Sequence, residues 1–251
     1  MSRLRIDNLS VTRSGRPVVD GISVVVEAGE CIGLIGPNGA GKTTLMRGAL
    51  GLLPHTGLSS LAGMPPIERA QVCAWMPQSR DIAWPVSVET LVALGRIPYL
   101  PKGKRLADQD QAAVASALET MELTGYRNRT ATELSGGEQA RVLIARALAQ
   151  QTPFLMADEP IAGLDPAGQI ATMRVFRNLA DDGRAVIVSL HDLGLAARYC
   201  TRLLLLAHGK LVADGAPRKV LTETNLRKVF GVSAFFQETE NGLIFQPLEQ
   251  V

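Results

Sequence analysis

The stretch that decides the fold is Gly36-Pro37-Asn38-Gly39-Ala40-Gly41-Lys42-Thr43-Thr44. Its spacing, a glycine, four residues and then Gly-Lys-Thr, is that of a loop that wraps a polyphosphate. Residues 31–35 predict a buried strand before it, and residues 45–50 predict the start of a helix after it. Glycines let successive backbone N–H groups turn toward a phosphate, and the following helix directs its positive end at the same anion. We therefore expect all nine residues to line a phosphate site, with Lys42 reaching the terminal phosphates and the Thr43 hydroxyl binding Mg²⁺.

The composition indicates an ordinary globular protein. With 251 residues, of which 46% are hydrophobic and 20% are charged, the chain is long enough to bury a large core. Its 26 basic and 24 acidic side chains leave a net charge of +2, so no nucleic-acid partner is expected. The run 203–207 is one of the longest apolar runs, and a membrane helix needs about 20 such residues. Because the N-terminus also lacks the apolar stretch of a secretory signal, we expect a cytosolic protein with three buried thiols.

Alternating apolar residues in the first 26 positions predict a small antiparallel sheet beside the phosphate loop. Such a sheet would normally carry an aromatic ring that stacks on a nucleotide base, but residues 1–74 contain no Phe, Tyr or Trp. Arg13 lies about where that ring is expected, and a guanidinium plane also stacks on adenine. An exposed turn residue explains Arg13 equally well, so both interpretations stay open.

Two polar residues follow apolar runs at the position where open α/β sheets bind ligands. Gln78 follows the predicted strand 72–76, and its side-chain carbonyl is suited to contact Mg²⁺ or the attacking water. His191 follows the predicted strand 185–190 and is expected to contact the γ-phosphate. Neither residue would indicate a site alone. Their positions after predicted strands are what favour a role in ligand binding.

The strongest acidic pair is Asp158-Glu159, which ends the predicted strand 154–157. Asp158 would hold Mg²⁺ through water. Glu159 would orient and deprotonate a water aimed at the γ-phosphate. Two acidic residues in an exposed turn would be the preferred explanation if the phosphate loop were absent.

The segment Ser135-Gly136-Gly137-Glu138 has the pattern of a capping box that opens a helix over 139–150. A cap explains the serine and the glutamate but not the glycines, which each destabilise a helix by about 0.5–1 kcal/mol. We therefore expect something to approach this backbone closely, and a second phosphate-binding helix N-terminus is the natural candidate.

Residues 85–149 have a helical pattern and predict a helical lobe, inserted into an α/β core formed by 1–84 and 150–251. The basic cluster Lys102, Lys104 and Arg105 is either solvated surface, which is the preferred interpretation, or a binding patch. Trp84, at the start of the lobe, is either a core residue or an anchor for a protein partner.

The remaining segments complete the pattern. The sequence predicts a short strand at 58–62, a hairpin at 202–213 around His208-Gly209, a helix at 217–230, and a terminal hairpin at 235–245 that turns at Asn241-Gly242.

Six motifs in order make the sequence similar to the ATP-binding-cassette (ABC) family of transporter ATPases along nearly its whole length. GPNGAGKTT at 36–44 resembles Walker A, Gln78 the Q-loop, LSGGEQAR at 134–141 the signature, FLMADEP at 154–160 Walker B, AGLD at 162–165 the D-loop and His191 the switch histidine. The resemblance implies an α/β fold, a P-loop NTPase core with a mostly parallel sheet, an N-terminal antiparallel β subdomain and the inserted α-helical lobe.

The same resemblance implies binding of ATP and Mg²⁺ and hydrolysis of ATP. In this family two cassettes pack head to tail, and each ATP lies between one subunit's Walker A and the other's signature helix. This arrangement accounts for Gly136 and Gly137, and it places Ser135, Glu138 and Asp165 at the nucleotide. The implied partners are a second copy of the cassette, transmembrane permease subunits and, indirectly, a periplasmic or extracellular binding protein. The implied location is the cytoplasmic face of the membrane.

Two departures from the family pattern stand out: Glu138 replaces the commoner glutamine, and the base-stacking aromatic is absent. Residues 86–100 and 221–232 are similar to the cassettes of importers for iron-siderophore complexes, haem or cobalamin.

An exporter cassette would share all six motifs. Soluble ABC ATPases that act in DNA repair carry a long coiled-coil insert, and those that act in translation carry two cassettes in one chain. This chain has neither. A non-hydrolysing scaffold should have lost Lys42 or Glu159, and both are present.

Overall fold

The computed structural model describes residues 3–101, 103–239 and 242–250 and divides into two units. The first unit comprises Met1–Met64 and Phe176–Val251, and the second comprises Pro65–Val175. Asn241 of the predicted terminal turn and Lys102 of the predicted basic cluster lie outside the described residues. The predicted helical lobe 85–149 falls within the second unit, and its limits stay a prediction.

Strands and helices alternate along most of the chain. The strands are β1 (Arg3–Arg13), β2 (Arg16–Glu27), β3 (Cys31–Ile35), β4 (Thr56–Ser59), β5 (Cys73–Met76), β6 (Phe154–Asp158), β7 (Ala185–Ser189), β8 (Arg202–Ala207), β9 (Lys210–Gly215), β10 (Val232–Thr239) and β11 (Gly242–Gln250). The helices are α1 (Lys42–Ala49), α2 (Pro66–Val72), α3 (Val88–Ala93), α4 (Asp108–Thr120), α5 (Gly136–Ala149), α6 (Pro166–Asp181), α7 (Leu193–Tyr199), α8 (Pro217–Val220) and α9 (Glu223–Asn225). Tighter or wider helical turns lie at Leu94–Tyr99, Thr124–Tyr126, Ala131–Glu133 and Leu226–Phe230. Within the described ranges, no helix is long and apolar enough to cross a bilayer.

The first unit contains the predicted antiparallel sheet, with strand order β2-β1-β4. Its apolar residues alternate along each strand, so that Leu4 and Ile6 of β1 and Val24 and Val26 of β2 are buried on one face. Leu4 pairs with Val26 and Ile6 with Val24. The prediction of a separate antiparallel β subdomain is therefore confirmed.

The first unit also contains a mostly parallel sheet. Strands β7 and β8 lie on either side of β3 and run parallel to it, and β9 runs antiparallel to β8. Every residue of β3 and β7 is buried, as continuous apolar runs predict for strands covered on both faces. Because Leu34 pairs with Ser189, the carboxyl ends of β3 and β7 lie side by side. The residues that follow these two ends therefore share one edge of the sheet.

The second unit combines the parallel pair β5 and β6 with a packed set of helices α3, α4 and α5. A Cβ on Gly95 would lie 2.2 Å from the carbonyl oxygen of Arg146, so the backbone after α3 approaches α5 too closely for any side chain there. The next residue, Arg96, forms a buried ion pair with Asp110 of α4 at 2.8 Å. These contacts tie the three helices together.

Two predicted elements differ from the structure, and one of the two interpretations of Trp84 fails. The helix predicted at 217–230 breaks after Val220, where the Thr222 hydroxyl accepts a hydrogen bond of 3.2 Å from the Asn225 amide and caps a new helix. The strand predicted at 58–62 is β4, which ends at Ser59. The core interpretation of Trp84 also fails, since this side chain is 72% exposed. Helix α2, which begins with Pro66 in its first turn, was not predicted.

Both hairpins are confirmed. Strands β8 and β9 turn at His208 and Gly209, whose φ values of 48° and 76° suit a two-residue hairpin turn. Strands β10 and β11 pair antiparallel, and the rings of Phe236 and Phe245 lie 5.5 Å apart. The predicted turn position is wrong at Gly242, which pairs with Thr239 as the first residue of β11.

Candidate active site

The phosphate loop lies in the first unit between β3 and α1, and its glycines shape it. Gly36 has φ 147°, and a Cβ there would lie 2.2 Å from the carbonyl oxygen of Leu206. Gly41 has φ 101°, and a Cβ there would lie 2.7 Å from the carbonyl oxygen of Val18. Only glycine fits both the conformation and the space at these two positions. The loop therefore has the shape of a backbone cradle, which is what a polyphosphate requires.

Lys42 is the first residue of α1 and is only 6% exposed. Its Nζ donates hydrogen bonds to the carbonyl oxygens of Gly36 at 2.7 Å and Pro37 at 3.2 Å. The ammonium group is thus held by backbone carbonyls of the predicted phosphate loop. Around it, Ala40 and Thr44 are buried, Thr43 is half-buried, and Asn38 and Gly39 are exposed at the tip of the loop.

His191 belongs to the same unit as the phosphate loop. It is exposed and follows β7, whose carboxyl end lies beside that of β3. The next residue, Asp192, accepts a hydrogen bond of 2.8 Å from the Leu195 amide and so caps α7, as predicted. The structure therefore brings His191 and the loop to one sheet edge.

Arg13 ends β1, where it pairs with Arg16, and it is exposed. Both interpretations of Arg13 are compatible with that position.

The second unit contains the acidic pair and Gln78. Asp158 ends β6 and is 1% exposed, and Gln78 follows β5, the neighbouring parallel strand. The Gln78 side chain donates a hydrogen bond of 2.8 Å from Nε2 to Oε2 of Glu159. Glu159 has φ 49°, a left-handed conformation that is uncommon for a residue other than glycine. Three predicted site residues are thus assembled at the adjacent carboxyl ends of β5 and β6.

The predicted capping box at α5 is confirmed. The Ser135 amide and hydroxyl donate to Glu138 Oε2 at 2.8 and 2.7 Å, and the Ser135 hydroxyl accepts from the Glu138 amide at 3.4 Å. The bonds from the Ser135 hydroxyl and amide lower the pKa of the Glu138 carboxyl below its ordinary value. Among the described residues, a Cβ on Gly136 would meet no atom within 4 Å, and one on Gly137 would make only an ordinary contact with Leu164. The packing of this chain therefore does not explain why both positions are glycine.

Asp165 directly precedes α6. Its Oδ1 accepts a hydrogen bond of 2.8 Å from the Gly168 amide at the start of α6. A cavity of about 650 Å³ within the second unit is lined by residues that include Ser135, Gly137, Glu138 and Asp165. The structure thus brings the predicted signature and D-loop residues together around one cavity.

A family model described as ABC transporter matches residues 19–162, which is more than half of the 251 residues. The chain belongs to the ABC transporter family. The predicted family is therefore confirmed, together with the predicted α/β fold.

Curated members of the ABC transporter family resemble this chain over most of its length. The hemin import ATP-binding protein HmuV of Rhodococcus jostii (strain RHA1) is 41% identical over 234 residues, which cover 91% of this chain and 80% of that protein. The cobalamin import ATP-binding protein BtuD of Halobacterium salinarum (strain ATCC 700922) is 39% identical, over 90% of this chain and 58% of that protein. A solved metal-chelate type ABC transporter in an inward-facing conformation matches with a TM-score of 0.86 at 25% identity, covering 100% of this chain and 99% of that chain.

Arg80 is a residue of this ABC cassette that sequence reasoning missed. Its Nη2 donates to the carbonyl oxygens of Glu159 at 3.1 Å and Pro160 at 3.0 Å. Burial lowers the pKa of Arg80, and the nearby charge of Glu159 offsets part of that decrease. No signal in a single sequence could have identified this contact, because both acceptors are backbone atoms about eighty positions later in the chain.

Proposed function

We propose that the protein is the ATP-binding and ATP-hydrolysing subunit of an ABC importer. It energises uptake through separate membrane subunits, and its transported ligand is a haem, a cobalamin or an iron-siderophore complex. The observation that carries this proposal is the similarity, over about nine-tenths of the chain, to proteins named as hemin or cobalamin import ATP-binding proteins. The domain division belongs to the same proposal, with a nucleotide-binding core at 1–84 and 150–251 and a helical lobe at 85–149.

In the proposed site, residues 36–44 bind the phosphates of ATP. The cradle that Gly36 and Gly41 shape presents backbone N–H groups, and the buried Lys42 ammonium supplies positive charge. Thr43, Gln78 and Asp158 would hold Mg²⁺, since hydroxyl, amide and carboxylate oxygens are the hard donors that this ion takes. Bound Mg²⁺ would neutralise negative charge that develops on the phosphates.

Glu159 is the proposed general base. Its carboxylate is oriented by the bond from Gln78, and it would accept a proton from the water that attacks the γ-phosphate. His191 would contact the γ-phosphate from the sheet edge that it shares with the loop. Arg13 would face the adenine ring.

The active assembly is proposed to be a head-to-tail pair of cassettes. The open space around Gly136 supports this, because a glycine that its own chain does not require is explained by a ligand approaching the backbone from outside. Ser135, Gly136, Gly137, Glu138 and Asp165 would then contact the ATP held by the second copy's phosphate loop. The pair would work at the cytoplasmic face of the membrane, bound to permease subunits and served by a periplasmic or extracellular binding protein.

The test is reconstitution in vesicles whose cassettes face outward, with the permease and a ligand-loaded binding protein in the lumen. ATP added outside should drive release of ligand from the lumen, and haemin, cyanocobalamin and a ferric hydroxamate siderophore are compared separately. Movement of ligand into the lumen would identify an exporter. Absence of Mg²⁺-dependent phosphate release from ATP in every condition would reject the enzyme itself.

A further inference from the structure

We propose that Arg80 is a positioning residue for ATP hydrolysis, because its guanidinium holds the backbone that carries Glu159. The part of the inference that concerns the reaction rests on the proposed function. The part that concerns the backbone rests on hydrogen bonds within the second unit alone.

The contact is made by one nitrogen of Arg80. Nη2 donates to two successive carbonyl oxygens, those of Glu159 at 3.1 Å and Pro160 at 3.0 Å. The Arg80 side chain is half-buried and Pro160 is buried, so the guanidinium meets these carbonyls in a partly buried setting. Hydrogen bonds from a charged donor are stronger than those between neutral groups.

The backbone that Arg80 contacts has an unfavourable conformation at Glu159. Glu159 has φ 49°, and a left-handed conformation in a residue with a long side chain persists only where its surroundings maintain it. The Glu159 carbonyl accepts a second hydrogen bond of 3.2 Å from the amide of Ala162, which closes the turn after the strand. Arg80 and the Ala162 amide thus both donate to the carbonyl of the strained residue, Glu159.

Gln78 and Arg80 hold Glu159 at two different places. The amide of Gln78 binds the carboxylate, and the guanidinium of Arg80 binds the main chain. In the same segment, the Ser79 hydroxyl donates to Oδ2 of Asp81 at 2.6 Å. A displacement of Gln78 and Arg80 would therefore also displace the Glu159 carboxylate.

The experiment compares the full-length wild type with Arg80→Met, Arg80→Lys and the control Arg105→Met. Methionine keeps an apolar stem but has no donor, whereas the lysine ammonium restores a charged donor. Arg105 is exposed in the same unit, so its replacement removes the same charge away from Glu159. We expect Arg80→Met to lower kcat by about 10- to 100-fold with KM for ATP unchanged, as a misplaced catalytic group does. Arg80→Lys should recover most of the loss, and Arg105→Met should match the wild type.

Two further measurements separate positioning from a general loss of structure. In a Glu159→Gln background, Arg80→Met should cause little further loss of hydrolysis, because the group that it positions is already absent. Hydrogen exchange of the amides within 159–163, where Pro160 has none, should be faster without nucleotide in Arg80→Met than in the wild type or the control.

A kcat within twofold of the wild type, an equal loss in both backgrounds, or unchanged exchange at 159–163 would overturn the proposal. If the wild type hydrolyses no ATP, the proposed function fails, and the exchange measurement still decides whether Arg80 holds the Glu159 backbone.

Discussion

Gln78 and Glu159 are joined by a hydrogen bond of 2.8 Å between the side-chain amide of one and the carboxylate of the other. The bond uses the nitrogen of the amide and leaves its oxygen for other partners. In the proposed site, Gln78 would orient the base with its nitrogen and contact Mg²⁺ with its oxygen at the same time. The Gln78 side chain would then connect the proposed general base to the proposed Mg²⁺ site.

Lys42→Ala is expected to weaken ATP binding by at least tenfold, because a charged hydrogen bond contributes about 1.5–3 kcal/mol. Fluorescent-nucleotide titration of the purified variant measures the loss. Lys210→Ala is the control, since it removes an equal charge from an exposed position of the same unit. Affinity within twofold of the wild type would refute the assignment of Lys42.

Glu159→Gln is expected to retain ATP binding and to slow phosphate release by at least the roughly 10²-fold that a positioned base supplies. The replacement amide still offers an oxygen to Gln78, so the local geometry is kept. The variant should form a dimer in ATP on a sizing column. Glu68→Gln, at an exposed position in α2, serves as control. Retained turnover together with no ATP-dependent dimer would count against Glu159.

Gly136→Ala should separate folding from association. An alanine side chain fits the open space at this position. Because alanine stabilises a helix by about 0.5–1 kcal/mol relative to glycine, the melting temperature should stay equal or rise. ATP-dependent dimer formation should nevertheless weaken, because the added methyl blocks close approach to the backbone. Gly125→Ala, at another glycine with open surroundings within the described residues, should change neither property. Unimpaired dimer formation by Gly136→Ala would remove the proposed role of this position.

Trp84→Ala should fold normally and hydrolyse ATP at the basal rate, since the indole is 72% exposed. If Trp84 anchors the permease, co-purification with the permease should fall. Ile67→Ala, 68% exposed in the same unit, is the matched control. A large drop in melting temperature would contradict the exposed position, and unchanged co-purification would remove the docking role.

Asp110→Ala should destabilise the protein by about 3–5 kcal/mol, because it leaves a buried guanidinium without its charge partner. The side chains of Arg96 and Asp110 are only 6% and 4% exposed, and Arg96 also donates to the Ala149 carbonyl at 2.9 Å. Urea unfolding measures the change. Asp108→Ala, at an exposed position of the same helix, should stay within about 0.5 kcal/mol. A loss below 1 kcal/mol for Asp110→Ala would show that the pair is not structurally important.

The elements that bear the site were predictable for a physical reason. Strands β3, β6 and β7 are mostly apolar runs, and Gly36 follows β3, Pro153 precedes β6 and Arg184 precedes β7, so their ends could be placed to within a residue or two. The capping box was predictable for a similar reason, because its two residues, Ser135 and Glu138, lie only three positions apart in the sequence.

Contacts between distant segments were not predictable. Arg80 binds backbone carbonyls, which every residue has, so no sequence pattern marks them as its partners. The exposure of Trp84 likewise depends on where the helices of the second unit pack. The break after Val220 depends on a threonine cap that competes with helix continuation within one turn.

The position of the Lys42 ammonium has a thermodynamic consequence. Its bonds to the carbonyls of Gly36 and Pro37 immobilise the side chain in the absence of nucleotide. Ordering a long side chain at a binding surface opposes association by about 0.5–1.5 kcal/mol, and here that entropy is already lost when the chain folds. The backbone cradle is likewise held by hydrogen bonds, in which the Gly209 amide donates to the Ala40 carbonyl and the Ala40 amide donates to the Pro37 carbonyl, both at 3.1 Å. Nucleotide should therefore meet a preorganised loop, and calorimetry should find only a small entropic penalty from ordering these residues.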